Sequence, residues 1–189
     1  MESTTLGYVR IAILGDTHLP KGRRALPAEC VEQLEAADLI LHTGDFVRIE
    51  VLRELERHGD VLAVHGNVDE EPLRRLLPAE RVVELPGGGR IAMVHDAGPA
   101  TGRLARLRRR FTDADAVVFG HSHVPLHEAD PTSGLQLFNP GSPTERRRAP
   151  HHTMGIATLG RDGLRFEHVV LPAPAAPGTG AARATGRSA

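Results

Sequence analysis

Residues 9–18 read Val-Arg-Ile-Ala-Ile-Leu-Gly-Asp-Thr-His, and this stretch decides the fold class. Val9 to Leu14 is a short run rich in β-branched residues, closed by Gly15-Asp16. That is the pattern of a buried strand ending in a loop. Pro27 to Ala37 (PAECVEQLEAA) follows, with an early Pro and apolar Val31 and Leu34 on one helical face. Leu39 to Leu41 reads as a second strand, ending at His42-Thr43-Gly44-Asp45. Phe46 to His58 carries Val47, Val51, Leu52 and Leu55 at helical spacing. Val61 to Val64 is a third strand, ending at His65-Gly66-Asn67, and Glu71 to Leu77 is a short helix. A β-α-β-α-β order implies a parallel sheet with crossover helices.

Further along, the texture changes. Val82–Leu85 and Ile91–Val94 are strands joined by Pro86-Gly87-Gly88-Gly89, a hairpin signal. Thr101 to Phe111 reads as a helix. Ala116–Phe119, Val124–Ala129, Leu135–Phe138, Met154–Leu159 and Leu164–Leu171 read as further strands. Parallel units first and strand-rich units later predict two packed sheets flanked by helices in a single domain over residues 1–171. Residues 172–189, PAPAAPGTGAARATGRSA, lack any large apolar side chain and are expected to be a disordered Pro/Ala/Gly-rich tail.

Composition narrows the function classes. Net charge is −1 over 189 residues, so no global charge excess points to nucleic acid or an anionic membrane. Aromatics are 3% and Trp is absent, which argues against a stacking platform for single strands. Cys30 is the sole cysteine, excluding an internal disulfide and a cysteine-rich metal knuckle. The start has no basic segment followed by an apolar run, and no run approaches the roughly 20 apolar residues that span a bilayer. The expected compartment is the cytoplasm. Against this background stand 11 histidines. Histidine is the commonest metal ligand.

Their places on the strand map matter. Asp16 and His18 follow the first strand as D-x-H, Asp45 the second as G-D, and Asn67 and Asp69 the third as G-N-V-D. His95 ends Ile91–Val94, His121 and His123 follow Ala116–Phe119 as G-H-S-H, and Asn139 follows Phe138 as N-P-G-S. Singly, each motif has a plain explanation, for G-D is ordinary turn chemistry and Asp16 could cap a turn. Turns and caps do not explain the whole ordered series, each member just after a strand. In open α/β sheets ligands bind beyond the carboxyl ends of strands. Three Asp, one Asn and four His form a nitrogen and oxygen donor set without sulfur. It suits Mn, Fe, Zn or Ni better than Ca or Mg. Eight donors exceed one tetrahedral ion and suit two ions roughly 3.5–4 Å apart, the arrangement that activates water and neutralises a phosphate under attack.

In this order the motifs D-x-H, G-D, G-N-x-D, H and G-H-x-H resemble the calcineurin-like metallophosphoesterase superfamily. The short chain and the N-P-G-S loop look like its small YfcE-like phosphodiesterase branch. The resemblance covers roughly Tyr8 to Leu171 and implies a four-layer α/β/β/α sandwich of two mixed β-sheets flanked by helices. It implies two divalent ions, Mn²⁺ first and Fe, Zn or Ni as alternatives. Asp16, His18, Asp45 and His123 would hold one, while Asp45, Asn67, His95 and His121 would hold the other. The implied reaction is attack of a metal-bridging hydroxide on a phosphodiester. Cyclic nucleotides, other small phosphodiesters and nucleic-acid ends are the implied substrate range, with no membrane partner and a homodimer by family analogy. The other reading is a catalytically weak or inactive scaffold of the same fold.

Three positions depart from the family pattern. Val68 stands where many members carry a His that protonates the leaving group, a transfer worth roughly 10²–10⁴ in rate. Asp69, which would orient that His, is left to support Asn67 or cap the next helix, and His127 is a substitute acid by proximity to G-H-S-H. Asp96 stands where Gly is usual, to bind a water, tune the ion or shape a turn. Asn67 and Arg146, the latter in the run Arg146-Arg147-Arg148, are the expected phosphate-binding residues. His42 and His65 precede ligand positions and are either orienting or merely part-buried residues.

Overall fold

The computed structural model describes residues 8–20 and 24–173. The expected tail therefore lies outside the described residues from residue 174 onward. Among the described residues ten strands and four helices follow one another, beginning β1 (Val9–Leu14), α1 (Ala28–Glu35), β2 (Leu39–His42), α2 (Ile49–Leu55), β3 (Val61–Ala63), α3 (Glu71–Leu76), β4 (Glu80–Glu84) and β5 (Arg90–Val94). α4 (Arg103–Arg110), β6 (Ala116–Phe119), β7 (Leu126–Ala129), β8 (Gln136–Asn139), β9 (His152–Gly160) and β10 (Gly163–Leu171) complete the order.

The strands form two five-stranded sheets, ordered β10-β9-β1-β2-β3 and β4-β5-β6-β8-β7. In the first, β1, β2 and β3 are parallel, with Ile13 opposite Leu41 and Leu41 opposite Leu62. β9 runs antiparallel to β1 and closes a hairpin with β10. In the second, β5, β6 and β8 are parallel, and β4 and β7 flank them antiparallel. Both sheets are thus mixed.

The period-two alternation of strands sorts side chains into three apolar layers. Ala12 and Leu14 of β1 face helices, packing with Cys30 and Leu34 of α1, Leu52 and Leu55 of α2 and Leu73 of α3. Ile11 and Ile13, the alternate positions, face the other sheet and pack with Ile91 and Met93 of β5, Val118 of β6 and Phe138 of β8. The far face of that second sheet, through Ala92, Val94 and Val117, packs on Leu107 of α4 and on Phe111. Helices, sheet, sheet and helix make the four-layer α/β/β/α sandwich. No helix among the described residues is long and apolar enough to cross a membrane.

Several boundaries move by two or three residues from their sequence-based places, and the shifts of α2 and α4 have clear causes. α2 starts at Ile49 rather than Phe46, because Val47 takes φ 87 and its N–H goes to the Asp69 carboxylate at 2.7 Å. α4 starts at Arg103 because Gly102, at φ 70, reverses the chain just before it.

Candidate metal centre

The predicted residues all sit on loops at the carboxyl ends of strands: Asp16 and His18 after β1, Asp45 after β2, Asn67 and Asp69 after β3, His95 after β5, His121 and His123 after β6. The two sheets bring these loops to one place. His18 Nε2 lies 3.1 Å from His123 Nε2, and His123 Nε2 lies 3.7 Å from Asp16 Oδ1. His95 Nε2 is 3.0 Å from Asn67 Oδ1 and 3.3 Å from His121 Nδ1, which itself is 3.0 Å from Asn67 Oδ1. Asp45 Oδ2 joins the two sides, 3.5 Å from His18 Nε2 and 3.3 Å from His95 Nε2.

Two groups follow from these distances. Asp16, His18 and His123 each offer a ligand atom within 4.8 Å of the others, as do Asp45, His95 and His121. The chemistry of both fits a cation. Asp16 Oδ2 is buried without a hydrogen-bond partner, an arrangement that costs about 1–3 kcal/mol unless a positive centre satisfies it. His95 Nδ1 donates to the Thr43 carbonyl at 2.8 Å, and His123 Nδ1 donates to the Glu145 carbonyl. With the proton on Nδ1, each neutral ring turns the lone pair of Nε2 toward the cluster.

The backbone at these positions is held in a rare conformation. Asp16 (φ 54), His18 (φ 46), Asp45 (φ 61), His121 (φ 68) and His123 (φ 58) all lie in the left-handed region. Each such residue costs of order 1–3 kcal/mol and persists only where its surroundings over-determine it. The surroundings are specific. Asp69 accepts N–H groups of Gly66 (2.7 Å), Val47 (2.7 Å) and Asp45 (3.1 Å), so it ties the loop after β2 to the loop after β3. Asp45 Oδ1 accepts from Val68 N at 3.1 Å. Gly66 must be glycine, since a Cβ there would sit 2.0 Å from Asp45 Oδ1. Behind the first group, Ser142 Oγ donates to Asp16 O at 2.8 Å and Thr144 Oγ1 to Thr17 O at 2.5 Å. Asn139 Nδ2 donates to Gly120 O at 2.9 Å, anchoring the same loop to the G-H-S-H turn.

Burial and charge set the protonation states. Burial pushes the Asp16 carboxyl up to about 7, with the nearby Asp45 charge adding to it and His95 opposing. Burial pushes Asp45 up too, but the hydrogen bond and charge of His95, helped by the Val68 N–H and His18, hold it at about 2. Burial lowers His95, and contact with Asp45 and Asp16 more than reverses this, leaving it raised. Burial lowers His123 to about 4, with the Glu145 carbonyl opposing and Arg147 and His18 reinforcing. Burial lowers His42 to about 3. That neutral ring stacks on Phe46 at 3.5 Å, accepts Gly44 N–H on Nδ1 at 3.2 Å and meets Thr17 Oγ1 from Nε2 at 3.2 Å. It therefore orients both the loop bearing Asp16 and the loop bearing Asp45.

The remaining predicted residues fall elsewhere. His127, the proposed substitute acid, is in neither donor group; its Nε2 meets Gln136 Oε1 at 3.0 Å and its ring packs on Phe138 and Phe166. Arg146 turns Nη1 to Ala149 O at 2.9 Å, whereas its neighbour Arg147 reaches the His121 carbonyl at 3.3 Å. Asp96 shapes a turn by accepting Gly98 N–H at 2.7 Å. His65 Nδ1 meets only the carbonyl of Gly66, at 3.3 Å, among its side-chain bonds. Cys30 is core, its thiol pushed by burial up to about 12. Sequence reading missed the roles of Ser142 and Thr144, and within the run Arg146-Arg147-Arg148 it favoured Arg146 over Arg147; the N-P-G-S run marked the loop but not what it holds.

A family model for the calcineurin-like phosphoesterase superfamily domain matches residues 9–162. The chain belongs to this superfamily. A probable metallophosphoesterase of Methanothermobacter thermautotrophicus is 32% identical over 169 residues, covering 85% of this chain and 91% of that protein. An archaeal phosphodiesterase of solved structure superposes with a TM-score of 0.64 at 23% identity, over 86% of this chain and 100% of the other. Vps29 from Entamoeba histolytica, solved with Zn²⁺, superposes with a TM-score of 0.65 at 22% identity, over 86% of this chain and 99% of the other. The superfamily is metal-dependent, and the two groups above are this chain's candidate metal ligands.

Proposed function

We propose that the chain is a phosphodiesterase acting through two divalent ions, with Mn²⁺ the expected metal. Asp16, His18, Asp45 and His123 hold one ion, and Asp45, Asn67, His95 and His121 hold the other. The observation that carries this reading is the position of Asp45 Oδ2, 3.5 Å from the imidazole of one group and 3.3 Å from that of the other. Bound there, two ions would lower the pKa of a shared water from about 15.7 toward about 7 and neutralise phosphate oxygens. The protein's own part is positioning. The left-handed loops fix the donors, the Thr43 and Glu145 carbonyls fix two imidazole tautomers, Asp69 fixes the backbone of Asp45, and the Val68 N–H fixes its carboxylate. A small phosphodiester is the expected substrate, and the lone buried Cys30 accords with a cytoplasmic setting.

The test is hydrolysis of bis(4-nitrophenyl) phosphate after chelation and readdition of Mn²⁺. Activity should return with the metal and be lost in Asp45→Ala and His121→Ala. Equal rates for the chelated protein and both variants would overturn the reading. One observation favours the scaffold reading, the apolar Val68 at the site. Absence of Mn²⁺ binding at micromolar metal would select that alternative.

A further inference from the structure

Two arginines outside the donor set are attached to it. Arg74 Nη2 donates to the Asn67 carbonyl at 2.5 Å, and Arg147 Nη1 donates to the His121 carbonyl at 3.3 Å. Asn67 and His121 are themselves neighbours, 3.0 Å apart from Oδ1 to Nδ1. Two guanidinium groups are thus anchored on the backbone of the two most open donors. Both side chains are exposed, and each guanidinium carries five N–H donors, of which the anchoring bond takes one. Arg147 also keeps φ 45, the same left-handed strain found at five ligand positions. Its charge acts on Asp16 and His123, which places it electrostatically within the site.

Next to Asn67 in the chain, Val68 is 41% exposed, with its N–H on Asp45 Oδ1. The Val68 side chain carries no proton to give. Asp69 is occupied by three backbone N–H groups, and His127 is packed on Phe138 and Phe166. This combination bears on the leaving group. An alkoxide is about as basic as hydroxide, whose conjugate acid has pKa about 15.7, and departs slowly without a proton. A phosphate needs none, since its last ionisation lies at about 6. A departing phosphate anion is what a pair of guanidinium forks binds best, bidentately and in the developing charge state.

We propose that Arg74 and Arg147 are the phosphate-holding residues of this site and that, with Val68, they direct it to phosphoanhydrides, substrates whose leaving group is itself a phosphate. The proposal rests on the phosphodiesterase reading and names its substrate class. Water adds to one phosphorus, the bond from that phosphorus to the bridging oxygen breaks, and the bridging oxygen leaves with the electron pair on the second phosphate. The proton lost by the water goes to solvent, so two phosphate monoesters form and nothing is oxidised or reduced.

The experiment uses the full chain loaded with Mn²⁺. Methylenediphosphonate, which replaces the bridging oxygen by carbon and is not hydrolysed, is titrated calorimetrically into wild type, Arg74→Gln, Arg147→Gln and Arg147→Lys. Each Gln variant should bind about tenfold more weakly, the loss of a charge-assisted contact, and the Lys variant should recover part of it. Circular dichroism checks that the variants keep their fold. In parallel, wild type should hydrolyse diadenosine pyrophosphate with a kcat/KM at least about 10²-fold above that for adenylyl-adenosine, whose leaving group is an alcohol. Unchanged analogue binding in both Gln variants, or equal rates on the two dinucleotides, would overturn the proposal while leaving the phosphodiesterase reading intact. If bis(4-nitrophenyl) phosphate is not hydrolysed either, that reading falls and takes the proposal with it.

Discussion

The two donor groups are built to opposite specifications. In the first, Asp16 and His123 are 0% exposed and His18 only 7%, and the loop after β8 closes behind them through Ser142, Thr144 and the Glu145 carbonyl. In the second, His121 and Asn67 are exposed, and the support comes from below, from Asp69 and the Thr43 carbonyl. One group is buried throughout; the other is buried at Asp45 and His95 but opens to solvent through His121 and Asn67, where the arginines are attached. A buried group contributes to stability as well as to binding. An open one can be altered at little structural cost, and it is where a substrate must arrive.

Asp45 is the residue that makes the two groups one site, so its loss has the largest expected effect. Asp45→Asn keeps the shape and the bond to Val68 N but removes the charge facing His18 and His95. Activity on bis(4-nitrophenyl) phosphate should fall on the order of 10³-fold, several kcal/mol of transition-state stabilisation. A fall of less than tenfold would mean that the groups work separately.

Metal loading comes next. An ion at a hundred times its Kd stabilises the folded state by about 2.7 kcal/mol. For a domain of this size that raises Tm by about 5–10 °C. The shift should survive for the most part in His121→Ala and largely vanish in His123→Ala, if the embedded group is the one coupled to folding. Equal loss in both variants would erase the distinction.

The two groups also differ without metal. His123→Ala removes the hydrogen bond to the Glu145 carbonyl and empties a fully buried position, so the chelated protein should lose about 1–3 kcal/mol. His121→Ala changes an exposed side chain and should stay within about 0.5 kcal/mol. Urea unfolding of the chelated variants measures both.

Why the donors were legible and their supports were not has a physical answer. Asp16, Asp45, Asn67, His95, His121 and His123 each follow a strand whose pattern is local, so spacing alone placed them at sheet ends. The supports depend on contacts between distant segments. Ser142 meets Asp16 across 126 positions and Thr144 meets Thr17 across 127, and no local pattern encodes that pairing. The same holds for Arg147, chosen over Arg146 only by the direction its left-handed backbone gives the side chain. Periodicity starts α2 three residues early because Phe46-Val47 looks helical, whereas Asp69 takes the Val47 N–H for the site. Local preference yielded to site geometry in both places.

His42 lies beneath both groups, touching Thr17 of one loop and Gly44 of the other, and gives the smallest predicted effect. Its ring is fully buried and held down to about 3, while in the unfolded chain it titrates near the usual value of about 6.5. The folded form therefore binds fewer protons, and the stability it contributes is complete above pH 6.5. It is lost as pH falls through that value toward 3, at about 1.4 kcal/mol per pH unit. Asp16 works in the opposite sense in the chelated protein. Its carboxyl is raised from 3.8 to about 7, so its contribution is present below 3.8 and lost as pH rises through 7. The two slopes offset one another between about pH 4 and 6.5, and wild type alone should show a shallow dependence there. Subtracting His42→Gln from wild type isolates the histidine. The difference in unfolding free energy should narrow by about 1 kcal/mol between pH 6.5 and 5.5. A difference that stays constant over that range would mean that His42 is not held neutral beneath the site, and that the two loops are oriented independently of it.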